Sequence, residues 1–127
     1  MHAPTTLRLP FSPTSVSVAR QKLKAWITDM GGHGETVEDA RVVVSELIAN
    51  SVRHAKPLPD GSIVVSWGLE NGGIQVSVTD GGSSTRPRTV HAPASALAGR
   101  GMSIVEALAL RWWTERTGCR STVHVLL

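Results

Sequence analysis

The sequence predicts a single α+β domain, and three observations carry that reading. Two early stretches, 15–30 and 36–55, repeat apolar residues at helical spacing. Two strand patterns joined by a hairpin signal follow between 62 and 80. After a long stretch without periodicity, a helix that opens on glycines leads into further strand patterns at the end of the chain.

Each element has its own local cause. Thr5-Thr6-Leu7-Arg8-Leu9 alternates weakly and reads as an edge strand closed by Pro10. Pro13 sets up a turn, and Ser15 or Ser17 is placed to cap the first helix. Val16, Ala19, Leu23, Trp26 and Ile27 form the inward stripe of that helix. Gly31-Gly32 ends it, because glycine takes a left-handed cap at no steric cost. Thr36 is the expected N-cap of the second helix, with Glu38 and Asp39 in its first turn near the positive end of the dipole. The helix runs to about Ala55, Pro57 and Pro59 stop it, and Asp60-Gly61 turns the chain.

Ser62 to Leu69 is rich in β-branched residues, and Asn71-Gly72-Gly73 signals a hairpin. Ile74 to Asp80 then alternates, with Ile74, Val76 and Val78 on the core side. From Gly81 to about Ala98 there is no periodic pattern. So long a connection reads as a functional lid, a disordered segment or a plain surface loop. Gly99-Arg100-Gly101 opens the last helix, whose packing stripe is Met102, Val105, Leu108 and Ala109. Trp112 to Glu115, a turn at Thr117-Gly118 and a final strand from Ser121 to Leu126 complete the chain.

The 127 residues suffice for one core without staples, and the reading is one domain over 1–127. A hydrophobic content of 41% with 18% charged residues suits a globular protein in water. The N-terminus lacks the apolar run of a signal peptide, and no stretch reaches the length of a membrane span. One cysteine, Cys119, excludes an intramolecular disulfide and a cysteine-based zinc site. Together these features predict a cytoplasmic protein with no membrane partner. The net charge of +3 permits a polyphosphate ligand or an acidic partner. Arg and Lys are scattered, however, with no basic run and no interleaved aromatics, which argues against direct nucleic-acid binding.

The chemistry concentrates on the second helix. At about 100° per residue, Val44, Leu47, Ile48, Val52 and Ala55 fall in one arc of roughly 140°, while Glu46, Asn50, Arg53 and His54 fall in another of roughly 100°. The first arc is a core-facing stripe. The second carries hard oxygen donors suited to Mg²⁺ and a guanidinium fork suited to phosphate. Alone, it also fits a solvated helix face. Two further stations complete a nucleotide-shaped set. Asp80, at a strand end, can accept an exocyclic amino hydrogen of adenine, with Gly81 and Gly82 leaving room for the ring. The glycine turn at 99–101 offers backbone N–H groups at a helix start, a ready anion site, and Arg100 adds positive charge. Neither a P-loop nor a dinucleotide fingerprint is present.

Glu46-Leu47-Ile48-Ala49-Asn50-Ser51-Val52-Arg53-His54-Ala55 resembles the N box of the GHKL ATPase superfamily. Val78-Thr79-Asp80-Gly81-Gly82 resembles its first glycine box, and Gly99-Arg100-Gly101-Met102-Ser103-Ile104-Val105 its second. The chain is most similar to the small anti-sigma-factor serine/threonine kinases of that superfamily, over about Ser15 to Leu127. The resemblance implies the Bergerat fold, a two-layer sandwich with helices on one face of a mixed, mostly antiparallel sheet and ATP held under a lid. It implies Glu46 as general base and Asn50 as Mg²⁺ ligand, with Arg53 as a further nucleotide contact. Asp80 would contact adenine, Gly82 would make room for the base, and Gly99, Arg100, Gly101 and Met102 would hold phosphate. Thr122 would complete the adenine pocket. Arg86, Arg88 or His91 of the lid would reach the γ-phosphate. Asp80-Gly81-Gly82-Ser83-Ser84 departs from the Asp-x-Gly-x-Gly pattern, and Ser51 stands where alanine is usual. The implied partners are an anti-sigma antagonist, STAS-like, and a sigma factor. Two copies would pair through the edge at Thr5 to Leu9. Two rival functions are a non-catalytic module whose ATP-ordered lid gates a partner surface, and a small basic nucleic-acid binder.

Overall fold

The computed structural model describes residues 4–70, 72–83 and 97–127, and of residues 97–101 the backbone alone. Strand β1 (Thr5–Pro10) is followed by helices α1 (Ser15–Asp29) and α2 (Glu35–His54), then by strands β2 (Ser62–Glu70) and β3 (Gly73–Asp80). Helix α3 (Leu97–Leu108) and strands β4 (Arg111–Thr117) and β5 (Arg120–Leu126) complete the order. The elements are those that the sequence patterns predict, with boundaries moved by a few residues.

The strands form one sheet in the order β1-β2-β3-β5-β4, with β1 at an edge as expected. Every pairing among the described residues is antiparallel, so the expected mixed sheet is corrected to an antiparallel one. The cause is the tight turn after β4. Gly118 adopts φ 62°, Thr117 pairs with Arg120, and β5 returns between β4 and β3. Strands β3 and β4 therefore run parallel but never touch.

Alternation assigns the two faces of the sheet. Ile63, Val65, Trp67, Val76, Val78 and Val125 are buried beneath the helices. They meet Ala19, Leu23 and Ile27 of α1, Val43, Val44, Leu47 and Ile48 of α2, and Val105 of α3 in one cluster. Helix α2 is central, packing against α1, α3 and β3. The opposite face carries polar and aromatic side chains. There the Ser77 hydroxyl lies 2.7 Å from His124 Nδ1, and the Trp113 ring stacks on His124 at 5.0 Å.

The helix ends are only partly as the sequence indicates. Gly31, at φ 91°, and Gly32 end α1 as expected, donating their N–H groups to the carbonyls of Thr28 and Ile27, both at 2.9 Å. Ser15 does not cap this helix. It is the first helical residue, buried, and its hydroxyl donates to the Pro10 carbonyl at 2.6 Å. Helix α2 is capped by Gly34 rather than Thr36, and its first-turn carboxylates are Glu35 and Glu38 rather than Glu38 and Asp39. Glycine is tolerated at an N-cap, and starting at Glu35 places an extra negative charge by the positive end of the dipole. No helix among the described residues is long and apolar enough to cross a membrane.

Ile48 tests the load on α2, since its side chain is fully buried. Ile48→Ala is expected to cost about 2–5 kcal/mol. The loss should appear as a lower urea midpoint at an unchanged slope. A cost well under 1 kcal/mol would mean that α2 is not the packing centre.

Candidate functional site

The site grows from the way α2 lies on the sheet. Its buried residues are Val37, Ala40, Val43, Val44, Leu47, Ile48 and Ser51. Glu46 and Asn50 are partly buried, and Arg53 and His54 are exposed. The polar stripe expected of this helix therefore runs from the border of the core out to solvent. Arg53 and His54 occupy the last turn, where cations complement the negative end of the dipole.

Ser51 is the exception within the buried arc. By helical spacing it falls between Val44 and Leu47, where a hydroxyl needs a partner. It finds one across the molecule: Ser51 Oγ donates to Asp80 Oδ2 at 2.6 Å. The Gly82 N–H donates to Asp80 Oδ1 at 2.8 Å. Asp80 is 7% exposed. Burial pushes its carboxyl above the ordinary value of 3.8, opposed by the Ser51 hydroxyl, the Gly82 N–H and the Arg116 charge. Backbone bonds reinforce this junction. Lys56 N–H donates to the Gly82 carbonyl at 2.9 Å, and Gly81 N–H to the Lys56 carbonyl at 2.7 Å. The chain leaving α2 is thus fastened to the turn after β3.

The same packing corrects the reason for the glycines. Space for a ring was expected beside Gly81 and Gly82. A Cβ at Gly81 would instead overlap the Pro57 carbonyl, and one at Gly82 the Cys119 carbonyl. Gly82 also adopts φ 91°. These glycines let backbone approach backbone, and they hold the Gly82 N–H against Asp80.

Thr122 is corrected as a member of the adenine pocket. Register places Ser121 opposite Asp80 and Thr122 opposite Thr79. Paired residues share a face and neighbours alternate, so Thr122 lies on the other side of the sheet from Asp80. Its hydroxyl is 2.8 Å from that of Thr79. Ser121 is the hydroxyl residue on the side of Asp80. Arg116, paired with Ser121, shares that side and donates from its guanidinium to the Ser83 carbonyl at 3.1 Å.

The second glycine station also shifts. Helix α3 begins at Leu97 and not at the glycines. Among the described residues, the N–H groups without an intrahelical acceptor then belong to Leu97, Ala98 and Gly99. Gly101 and Met102 lie past that first turn, and the Met102 side chain packs against the core. Phosphate contact through Gly101 and Met102 N–H groups is therefore corrected. The lid candidates Arg86, Arg88 and His91, and Asn71 of the hairpin, lie outside the described residues.

Sequence reasoning missed Ser51, Ser121 and Arg116. Ser51 had a usable signal, a hydroxyl in the middle of an apolar arc. Ser121 and Arg116 had none, because the β3–β5 register decides the face of Ser121 and the β4–β5 register that of Arg116. Chemically, the junction is a buried carboxylate with a donor on each oxygen and acceptor capacity to spare. It adjoins α2, on which Asn50 directly precedes Ser51. No group of three or more His, Cys, Asp or Glu side chains that could hold a metal is present among the described residues. A cation here would draw on Asn50 and on ligand oxygens.

Asp80 gives a pH test. Its carboxyl holds a proton more tightly in the folded chain than in the unfolded one. Stability therefore falls as pH rises from the ordinary carboxylate value to the raised one. Asp80→Asn removes that dependence. In denaturant titrations from about pH 3 to 7, the wild type should lose ground to the variant across that window. Parallel pH curves for the two proteins would count against a raised Asp80.

Residues 9–124 match the family model described as histidine kinase-like ATPase domain. A serine-protein kinase RsbW of Listeria innocua is 40% identical over 85 residues, covering 66% of this chain and 54% of the relative. One of Oceanobacillus iheyensis, named in the same way, is 32% identical over 114 residues, covering 80% of this chain and 72% of the relative. The chain spans about half the length of the Listeria relatives that it matches. A solved structure of the RsbU and RsbW domains of a Mycobacterium tuberculosis protein superposes with a TM-score of 0.75. At 22% identity, and covering 98% of this chain and 32% of that one, it shares the fold. The matched region takes in α1, α2, α3 and nearly all of the sheet, and the chain belongs to the histidine kinase-like ATPase domain family.

Proposed function

We propose that this chain is an ATP-dependent serine/threonine protein kinase of the anti-sigma type. It would transfer the γ-phosphoryl group of ATP to a serine on an anti-sigma antagonist, STAS-like, and would hold a sigma factor inactive. The observation that carries the reading is the buried Asp80 carboxylate, gripped by Ser51 and Gly82 beside the helix that bears Glu46 and Asn50. The name of the relatives, serine-protein kinase, supports it.

The residues present fit ATP and Mg²⁺. A buried carboxylate with free lone pairs suits the amino group of adenine and repels the carbonyl oxygen of guanine. Asn50 supplies a hard side-chain oxygen suited to Mg²⁺, which usually shares its remaining positions with waters and phosphates. Bound Mg²⁺ would neutralise charge on the phosphates. Arg53, exposed on the same helix, would meet phosphate. The first-turn N–H groups of α3, that of Gly99 among them, would supply the anion end of the site, and Arg100 would add positive charge to it.

In the transfer itself, the substrate serine oxygen bonds to the γ-phosphorus as the bond to the bridging oxygen breaks and ADP leaves. The serine proton passes to the Glu46 carboxylate. Positioning and charge stabilisation do most of the work in reactions of this type. Removing one preorganised group elsewhere costs about 3 kcal/mol.

Two measurements test this reading. ATP with Mg²⁺ at about 100 times its dissociation constant should add about 2.7 kcal/mol of stability, a rise of several degrees in Tm. Asp80→Asn should abolish the rise, and its persistence would remove Asp80 from the site. With γ-labelled ATP and candidate antagonists, the wild type should place label on serine. Glu46→Ala should lose about a hundredfold or more in transfer while still binding ATP. ATP-dependent binding of a partner without label would replace the kinase with the non-catalytic module.

A further inference from the structure

We propose that Ser51 is a positioning residue for base recognition, holding the Asp80 carboxylate as a fixed acceptor that selects an amino-bearing purine over an oxo-bearing one. The inference rests on the nucleotide-binding reading above and deepens it.

The two bonds to Asp80 differ in origin. Gly82 lies two residues along the same turn, so its N–H restrains the carboxylate only locally. Ser51 comes from α2 and reaches Asp80 across 29 positions of sequence. It therefore ties the orientation of the carboxylate to the helix that carries Glu46 and Asn50. Both groups are shielded, at 6% exposure for Ser51 and 7% for Asp80, so water cannot readily replace the hydroxyl.

The direction of the bond matters as much as its place. At 2.6 Å, the contact falls within the range of a hydroxyl donating to a charged oxygen. The Gly82 N–H can only donate. With a donor on each oxygen, the carboxylate stays an acceptor at all its remaining lone pairs. A ligand amino group is welcome there, and a ligand carbonyl oxygen meets repulsion. Without Ser51, Oδ2 loses its buried donor, the carboxylate is free to turn, and a protonated carboxyl becomes able to donate to an oxo group.

The test compares ATP and GTP, each with Mg²⁺, on the wild type, Ser51→Ala and Ser51→Thr. Dissociation constants are measured by calorimetry, and folding is checked by thermal melting. Ser51→Ala should weaken ATP about tenfold and weaken GTP less, so the preference for ATP falls. Ser51→Thr, which keeps the hydroxyl, should restore most of that preference. An unchanged preference in Ser51→Ala would overturn the proposal, whether ATP affinity is kept or both nucleotides weaken equally. So would a lost preference that Ser51→Thr fails to recover, since packing and not the hydroxyl would then be responsible. Failure of the wild type to bind ATP would overturn the nucleotide reading itself, and this inference with it.

Discussion

The structure depends on how α2 is seated. Val43, Val44, Leu47 and Ile48 are buried to the last few per cent of their surface against the sheet and the flanking helices. That burial fixes the rotation of the helix about its axis. Once the rotation is set, Ser51 must point inward, Glu46 and Asn50 must lie at the border, and Arg53 must face solvent. The polar residues have no independent choice of position. A helix turned by one residue, about 100°, would bury the carboxylate of Glu46 and expose the apolar stripe.

The junction between α2 and the end of β3 builds the candidate site on that seating. Two backbone hydrogen bonds join Lys56 to Gly81 and Gly82, and two donors hold Asp80. Burying a carboxylate is costly, and the raised carboxyl of Asp80 records the cost. The glycines serve the junction as well, since any side chain there would drive backbones apart at Pro57 or Cys119 and break the grip on Asp80.

The face of the sheet away from the helices follows different rules. Ser77, His124, Trp113 and Arg111 interlock there, with the Arg111 guanidinium 4.4 Å above the Trp113 ring. His124 also pairs with Glu115. Apart from the buried Ser77, these groups are partly or largely exposed, so their contacts fasten β3, β5 and β4 side by side and add little to the core. Thr122 belongs to this surface, with Thr79 as its partner.

The sequence by itself determined the elements, the order of the stations and the family pattern. Local spacing is enough for that: helical periodicity marks α1 and α2, alternation marks β3, and a glycine pair with its Schellman-type bonds ends α1. It also determined the relative placement of Glu46, Asn50 and Arg53, because residues on one helix keep their relative positions wherever the helix packs. Tertiary structure alone decided what depends on contacts between distant segments. Register between β3 and β5 put Ser121, and not Thr122, on the side of Asp80, since a shift of one residue reverses the face. Backbone contacts 20 or more residues apart gave Gly81 and Gly82 their reason. The start of α3 moved to Leu97, because helix ends are set by competing local bonds that composition does not rank. The partnership of Ser51 with Asp80 lay in neither stretch alone. It exists because burial brings a lone hydroxyl and a lone carboxylate to the same place.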